Sequence, residues 1–77
     1  MSAKQVAILE ANMLNGFLST IPQRDRRNFA SRVCNKTQLT RTHWYNWIYA
    51  KCRIPVFAKS IIEAEARCHI FVGTEML

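Results

Sequence analysis

Apolar side chains in this chain recur every three or four residues, and two-residue alternation is rare. That period marks one-sided helices rather than strands. From Ser2 to Ile21, Val6, Leu9, Met13 and Phe17 form one row and Ala7, Ala11, Leu14 and Leu18 its neighbour, with Gln5, Asn12, Asn15 and Ser19 opposite. Two residues break the pattern: Ile8 points to the polar side, and Glu10 falls inside the apolar arc. Either this helix packs on more than one surface, as in a homodimer through residues 2–21, or both side chains are partly exposed.

Pro22 punctuates the chain, because it biases Ile21 away from helical backbone and itself suits the first turn of a new helix. A second helix is expected from about Pro22 to Lys36, with Phe29, Ala30, Val33 and Cys34 inward. Asn35 to Gln38 reads as a polar turn. A third helix follows, anchored by Leu39, Trp44, Trp47 and Ile48, with Thr40 as its candidate N-cap. Ile54-Pro55 opens a last helix, whose inner row is read as Phe57, Ile61, Ala64 and Cys68, with Ala58, Ile62 and Glu65 beside it. Glu63 and Arg67 are placed as an exposed pair four residues apart. His69 to Val72 either extends that helix or forms a short strand, with Gly73 closing it, and the character of residues 69–77 stays open. The fold class is therefore all-α: about four helices in one domain over residues 1–77, since 77 residues hold a single core.

Charge sharpens this picture through its placement. The net charge is +6. Between Pro22 and Arg53 lie Arg24, Arg26, Arg27, Arg32, Lys36, Arg41, Lys51 and Arg53 against Asp25 alone, so the middle of the chain carries the whole excess. A concentrated excess suits a polyanion partner, and a merely solvated basic face is the plain alternative. In the third helix Arg41, Thr42, His43, Tyr45, Asn46 and Tyr49 lie between the buried anchors, and these types address base edges and phosphates.

Phe29-Ala30, Val33-Cys34, Leu39, Trp44 and Trp47, with the run LTRTHWYNWIYAKCRIP, resemble a helix-turn-helix of the phage repressor and Cro type. The resemblance covers roughly residues 22–66 and points to small regulators of phages and mobile elements. Cys34 and Leu39 stand about four residues further apart than the tight motif allows, and no glycine marks the turn, so a lengthened turn is expected. The resemblance implies that the helix after the turn enters the major groove of double-stranded DNA. Arg41, Thr42, His43, Tyr45, Asn46 and Tyr49 then become base-reading candidates, with Arg41 suited to guanine and Asn46 to adenine. Arg24, Arg26, Arg27, Thr40, Lys51 and Arg53 become backbone contacts.

Other chemistries find less support. Trp44 and Trp47 read as core, with base stacking the alternative; Tyr45 and Tyr49 keep a stacking role open. Cys34, Cys52, Cys68, His43 and His69 occur singly, without the paired spacing of a metal site, so no metal or cofactor is expected. Cys34 and Cys68 fit small core positions, and an odd number of spaced cysteines suggests reduced thiols in the cytoplasm. Scattered carboxylates and the lack of a phosphate loop argue against an enzyme. No apolar run approaches a membrane span. The expected function is sequence-specific binding of duplex DNA by a transcriptional or recombination accessory regulator. The rivals are a protein-interaction module, antitoxin-like or for assembly, and a single-strand or RNA binder.

Overall fold

The computed structural model describes residues 2–74. They form four helices and no strand: α1 (Ala3–Leu18), α2 (Gln23–Thr37), α3 (Arg41–Ile48) and α4 (Val56–Ala66). None is long and apolar enough to cross a membrane.

Local chemistry explains where each helix begins and ends. Ser2 caps α1 through a capping box: its hydroxyl accepts the Gln5 N–H at 3.2 Å, and the Gln5 side chain accepts the Ser2 N–H at 2.8 Å. The Ser19 and Thr20 hydroxyls take up the Gly16 and Phe17 carbonyls where α1 ends. Pro22 and Pro55 stand one residue ahead of α2 and α4 in extended backbone. The interval read as a turn, Asn35 to Gln38, is largely helix, because α2 runs on to Thr37, whose hydroxyl donates to the Val33 carbonyl at 2.8 Å. The separation of Cys34 and Leu39 is thus one more helical turn, and only Gln38–Thr40 connects α2 to α3. Gln38 does a glycine's work at the reversal, with φ at 59°.

The core lies where α1 crosses α3 and α2 crosses α4. Leu14, Phe29, Val33, Trp44, Trp47, Ile54 and Ile62 are all buried in it. Phe17, Phe29, Trp44 and Trp47 make a chain of rings with centroids 5.4, 6.1 and 6.2 Å apart, the first two contacts tilted and the last edge-to-face. Tilted aromatic contacts of this kind add about 0.5–1.5 kcal/mol each beyond the area they bury. The two tryptophans are therefore core, and their rings are closed to stacking on a ligand.

Four further expectations need correction. The inner row of α4 is shifted by one residue: Ala58 and Ile62 are buried, while Phe57 and Ala64 are exposed. The helix starts at Val56, and α2 meets the side that begins with Ala58. Cys68 is exposed beyond the helix end, and Cys34 is half-buried against the core. Glu63 turns away from Arg67 and accepts the Ile70 and Phe71 N–H groups at 2.7 and 3.0 Å, which folds the tail back onto α4. Residues 67–74 accordingly form turns that bury Ile70 and Phe71; residues 75–77 lie outside the described residues.

The fourth correction concerns α1. Glu10 is 0% exposed, and the chain itself surrounds it. Its carboxylate pairs with Lys59 of α4, which is only 6% exposed, and accepts the Ile54 N–H at 3.1 Å. Lys59 also donates to the Thr74 hydroxyl at 2.9 Å, which in turn donates to the Phe71 carbonyl at 2.9 Å. A polar residue inside the apolar arc of α1 is thus a buried ionic tie joining α1, α4 and the tail. Ile8, in contrast, is 43% exposed on the polar side, as its position in the pattern implies.

Candidate nucleic-acid interface

The exposed side of α3 follows from its buried side. At 3.6 residues per turn, Trp44, Trp47 and Ile48 share one arc. The remaining arc carries two adjacent rows: Arg41, Tyr45 and Tyr49, then Thr42 and Asn46. All are exposed except Asn46, which is half-buried. His43 falls outside this face, on the far margin. There its Nδ1 lies 3.1 Å from the Thr40 hydroxyl. Thr40 does occupy the N-cap position, but its hydroxyl is turned to His43 and caps no N–H of α3. Among the base-reading candidates the structure therefore brings five together and sets His43 apart.

Neighbouring helices fix this face. The Asn15 side chain on α1 donates to the Ile48 carbonyl at 3.1 Å, tying down the end of α3. Arg41 donates to the Ser31 hydroxyl on α2 and so bridges α2 and α3. A guanidinium has five N–H donors, so this bond leaves donors for a ligand. Burial pushes the Cys34 thiol, also on α2, above its ordinary pKa, and the charge of Arg41 partly opposes that rise. Tyr45 and Tyr49 stack on each other with centroids 6.3 Å apart, and Tyr49 is 67% exposed.

A groove of about 420 Å³ runs along the Tyr45 side of α3, and Arg26 and Arg27 of α2 line it together with Arg41. Arg26 is held in place by donating to the Ile21 carbonyl at 3.0 Å. Arg24 lies beside Arg27 at the start of α2. Beyond the tyrosines, Thr42, Asn46 and Lys51 line another groove. Arg53 sits further along the same connection, with its guanidinium 3.7 Å from Glu10. Arg32 and Lys36 are placed differently, since both pair with Glu65 of α4, Arg32 at 3.0 Å.

Two residues that the sequence did not single out join this surface. Gln23 lines the groove beside Arg26, and Lys4 lines one beside Lys51 and Arg53. No local pattern marks Lys4, because only the crossing of α1 over α3 brings it there. Among the described residues, no three His, Cys, Asp or Glu side chains gather as a metal site would need. No protein-family model, curated protein or solved structure matches this chain.

Proposed function

We propose that this protein binds double-stranded DNA sequence-specifically through α3, as a small transcriptional or recombination accessory regulator that works by occupying its site. One observation carries this. The exposed face of α3 is bordered by Arg24, Arg26, Arg27, Arg41 and Lys51, and no carboxylate lines the grooves on either side of it. Glu10, Glu63 and Glu65 are instead all engaged in contacts within the chain, and exposed Asp25 in the first turn of α2 is outnumbered by the three arginines beside it. The groove walls offer a polyanion cations and polar groups beside apolar side chains such as Leu18 and Ala30, with no acid among them.

The eight residues of α3 span about 12 Å at 1.5 Å per residue, and the major groove is about 12 Å wide. With α3 in that groove, Thr42 and Asn46 address base edges, and Asn46 can bond both N6 and N7 of an adenine. Arg41 reaches a guanine with the guanidinium N–H groups that its bond to Ser31 leaves unused. Arg24, Arg26 and Arg27 set the register on phosphates and read nothing themselves.

Pairing through residues 2–21 has a small apolar surface to use: Ile8 is 43% exposed, and Leu9, Met13 and Phe17 are only half-buried. Two copies then meet by binding adjacent half-sites. The thiols of Cys34, Cys52 and Cys68 are free, which fits work in the reducing cytoplasm.

The exposed Tyr45–Tyr49 pair favours a second reading, in which bases of a single strand stack on these rings. Gel shifts with duplex DNA, single-stranded DNA and RNA as competitors, at two salt concentrations, decide between them. Duplex should compete best, and a specific sequence should resist salt better than random duplex. No duplex binding at low salt ends the DNA proposal and promotes a protein partner.

A further inference from the structure

The cationic surface does not stop at α3. Four surface grooves share walls in series. The first, at the start of α2, shares Gln23 and Arg27 with the groove in front of α3. That one shares Tyr45 and Tyr49 with the groove lined by Thr42, Asn46 and Lys51. The third shares Tyr49 and Lys51 with a groove of about 670 Å³ between the start of α1 and the α3–α4 connection. Lys4 and Arg53 line this last groove, over a floor of Ala3, Ala7 and Ala50. Among the described residues no carboxylate lines any of the four. The groove over α4, by comparison, includes Glu63.

We infer that the groove between the start of α1 and the α3–α4 connection is a second phosphate-binding bank, in which Lys4 and Lys51 hold the strand opposite the one gripped by Arg24, Arg26 and Arg27. This rests on the DNA proposal above and adds to it a surface on α1 that lies outside the helix-turn-helix. The two ends of α1 give the scale. Asn15 lines the groove of the first bank and Lys4 that of the second. Eleven residues of helix at 1.5 Å each put them about 16 Å apart. Lys4 and the first bank therefore stand beyond opposite sides of the α3 face, as the two phosphate rows stand on opposite sides of a major groove. A single strand would need one bank. Arg53 gives part of its charge to Glu10, so Lys4 and Lys51 supply the second bank.

Lys4 is exposed in the first turn of α1, so replacing it leaves the core intact. Salt dependence of binding to the preferred duplex should be measured for the full chain, Lys4→Gln, Lys51→Gln, and Arg67→Gln as a charge-matched control away from the grooves. Each lysine change should reduce the log–log slope by about 0.9, and the control should leave it unchanged. Ethylation interference should show blocked phosphates on both strands, and Lys4→Gln should remove the effect on one strand only. An unchanged slope for Lys4→Gln, with interference confined to one strand, overturns the second bank while leaving duplex binding in place. Failure of the unaltered chain to bind any duplex overturns the DNA proposal itself, and this bank with it.

Discussion

The α3 side and the α4 side of this protein use the same charged residue types in opposite ways. On the α4 side every described carboxylate has a partner in the chain: Glu10 with Lys59, Glu65 with Arg32 and Lys36, and Glu63 with two backbone N–H groups of the tail. Cations there join helices. On the α3 side Arg24, Arg26, Arg27 and Lys51 have no carboxylate partner among the described residues, and the grooves beside them are lined by none. Cations there are available to a ligand. A basic stretch of sequence thus mixes two populations, and only packing separates them: Arg27 and Arg32 are five residues apart on one helix yet belong to different sides.

The sharpest way to break the α4 side is to split its buried pair. Removing Lys59 leaves the buried Glu10 carboxylate only the Ile54 N–H and the longer Arg53 contact, at a cost approaching the ~3–5 kcal/mol of a broken buried pair. Lys59→Met should therefore lower stability by about that much in denaturant unfolding, and Glu10→Leu with Lys59→Met should recover most of it. If the losses of Lys59→Met and Glu10→Leu simply add up to that of the double variant, the pair contributes no coupling.

The α3 side should respond in binding instead. Asn46→Ala is expected to cost about 1–3 kcal/mol on the preferred duplex and little on random duplex, a loss confined to base reading. Equal losses on both duplexes would mean that α3 touches backbone only. Circular dichroism should accompany this variant, since Asn46 adjoins Trp47. Arg26 and Arg32 then test the division of cations directly. Arg26→Ala should weaken specific and random duplex alike and reduce the log–log salt slope by about 0.9, whereas Arg32→Ala should leave the slope alone. Equal slopes for the two variants would erase the distinction between the sides.

The sequence made the helices legible because their apolar rows are regular and prolines mark two of the starts. The same rows misled at α4, where Phe57 and Ile61 suggest one face but the start at Val56 turns Ala58 and Ile62 inward; Phe57 ends half exposed. The length of the turn was hidden because no glycine marks it: Gln38 adopts the left-handed conformation instead. That predicts a modest gain for Gln38→Gly, up to about 1 kcal/mol, readable as a higher unfolding midpoint. The α3 face was legible too, since a buried tryptophan pair fixes which residues lie opposite. His43 was the exception: it lies at the margin of that face, next to Trp47, where its ring turns to Thr40. The fate of Glu10 and the place of Lys4 depend on contacts across dozens of residues, which periodicity along one helix does not encode.

The smallest effect concerns the tie between α2 and α4. The Lys36 ammonium and the Arg32 guanidinium hold the Glu65 carboxyl below its ordinary pKa of 4.5, Lys36 having the larger share. A carboxylate whose pKa is lower folded than unfolded stabilises the fold above the unfolded value, and that stabilisation is lost as pH falls through the folded value. Unfolding of the unaltered chain and of Glu65→Gln should therefore differ most at neutral pH and converge as pH falls below 4.5. The pair is partly solvated, because Arg32 and Lys36 are more than half exposed, so added salt at pH 7 should narrow the same gap. DNA affinity at neutral pH should barely change in Glu65→Gln. Marked strengthening of duplex binding would show instead that releasing Arg32 and Lys36 adds them to the interface, and that the boundary between the two sides is set by Glu65 rather than by the orientation of α2.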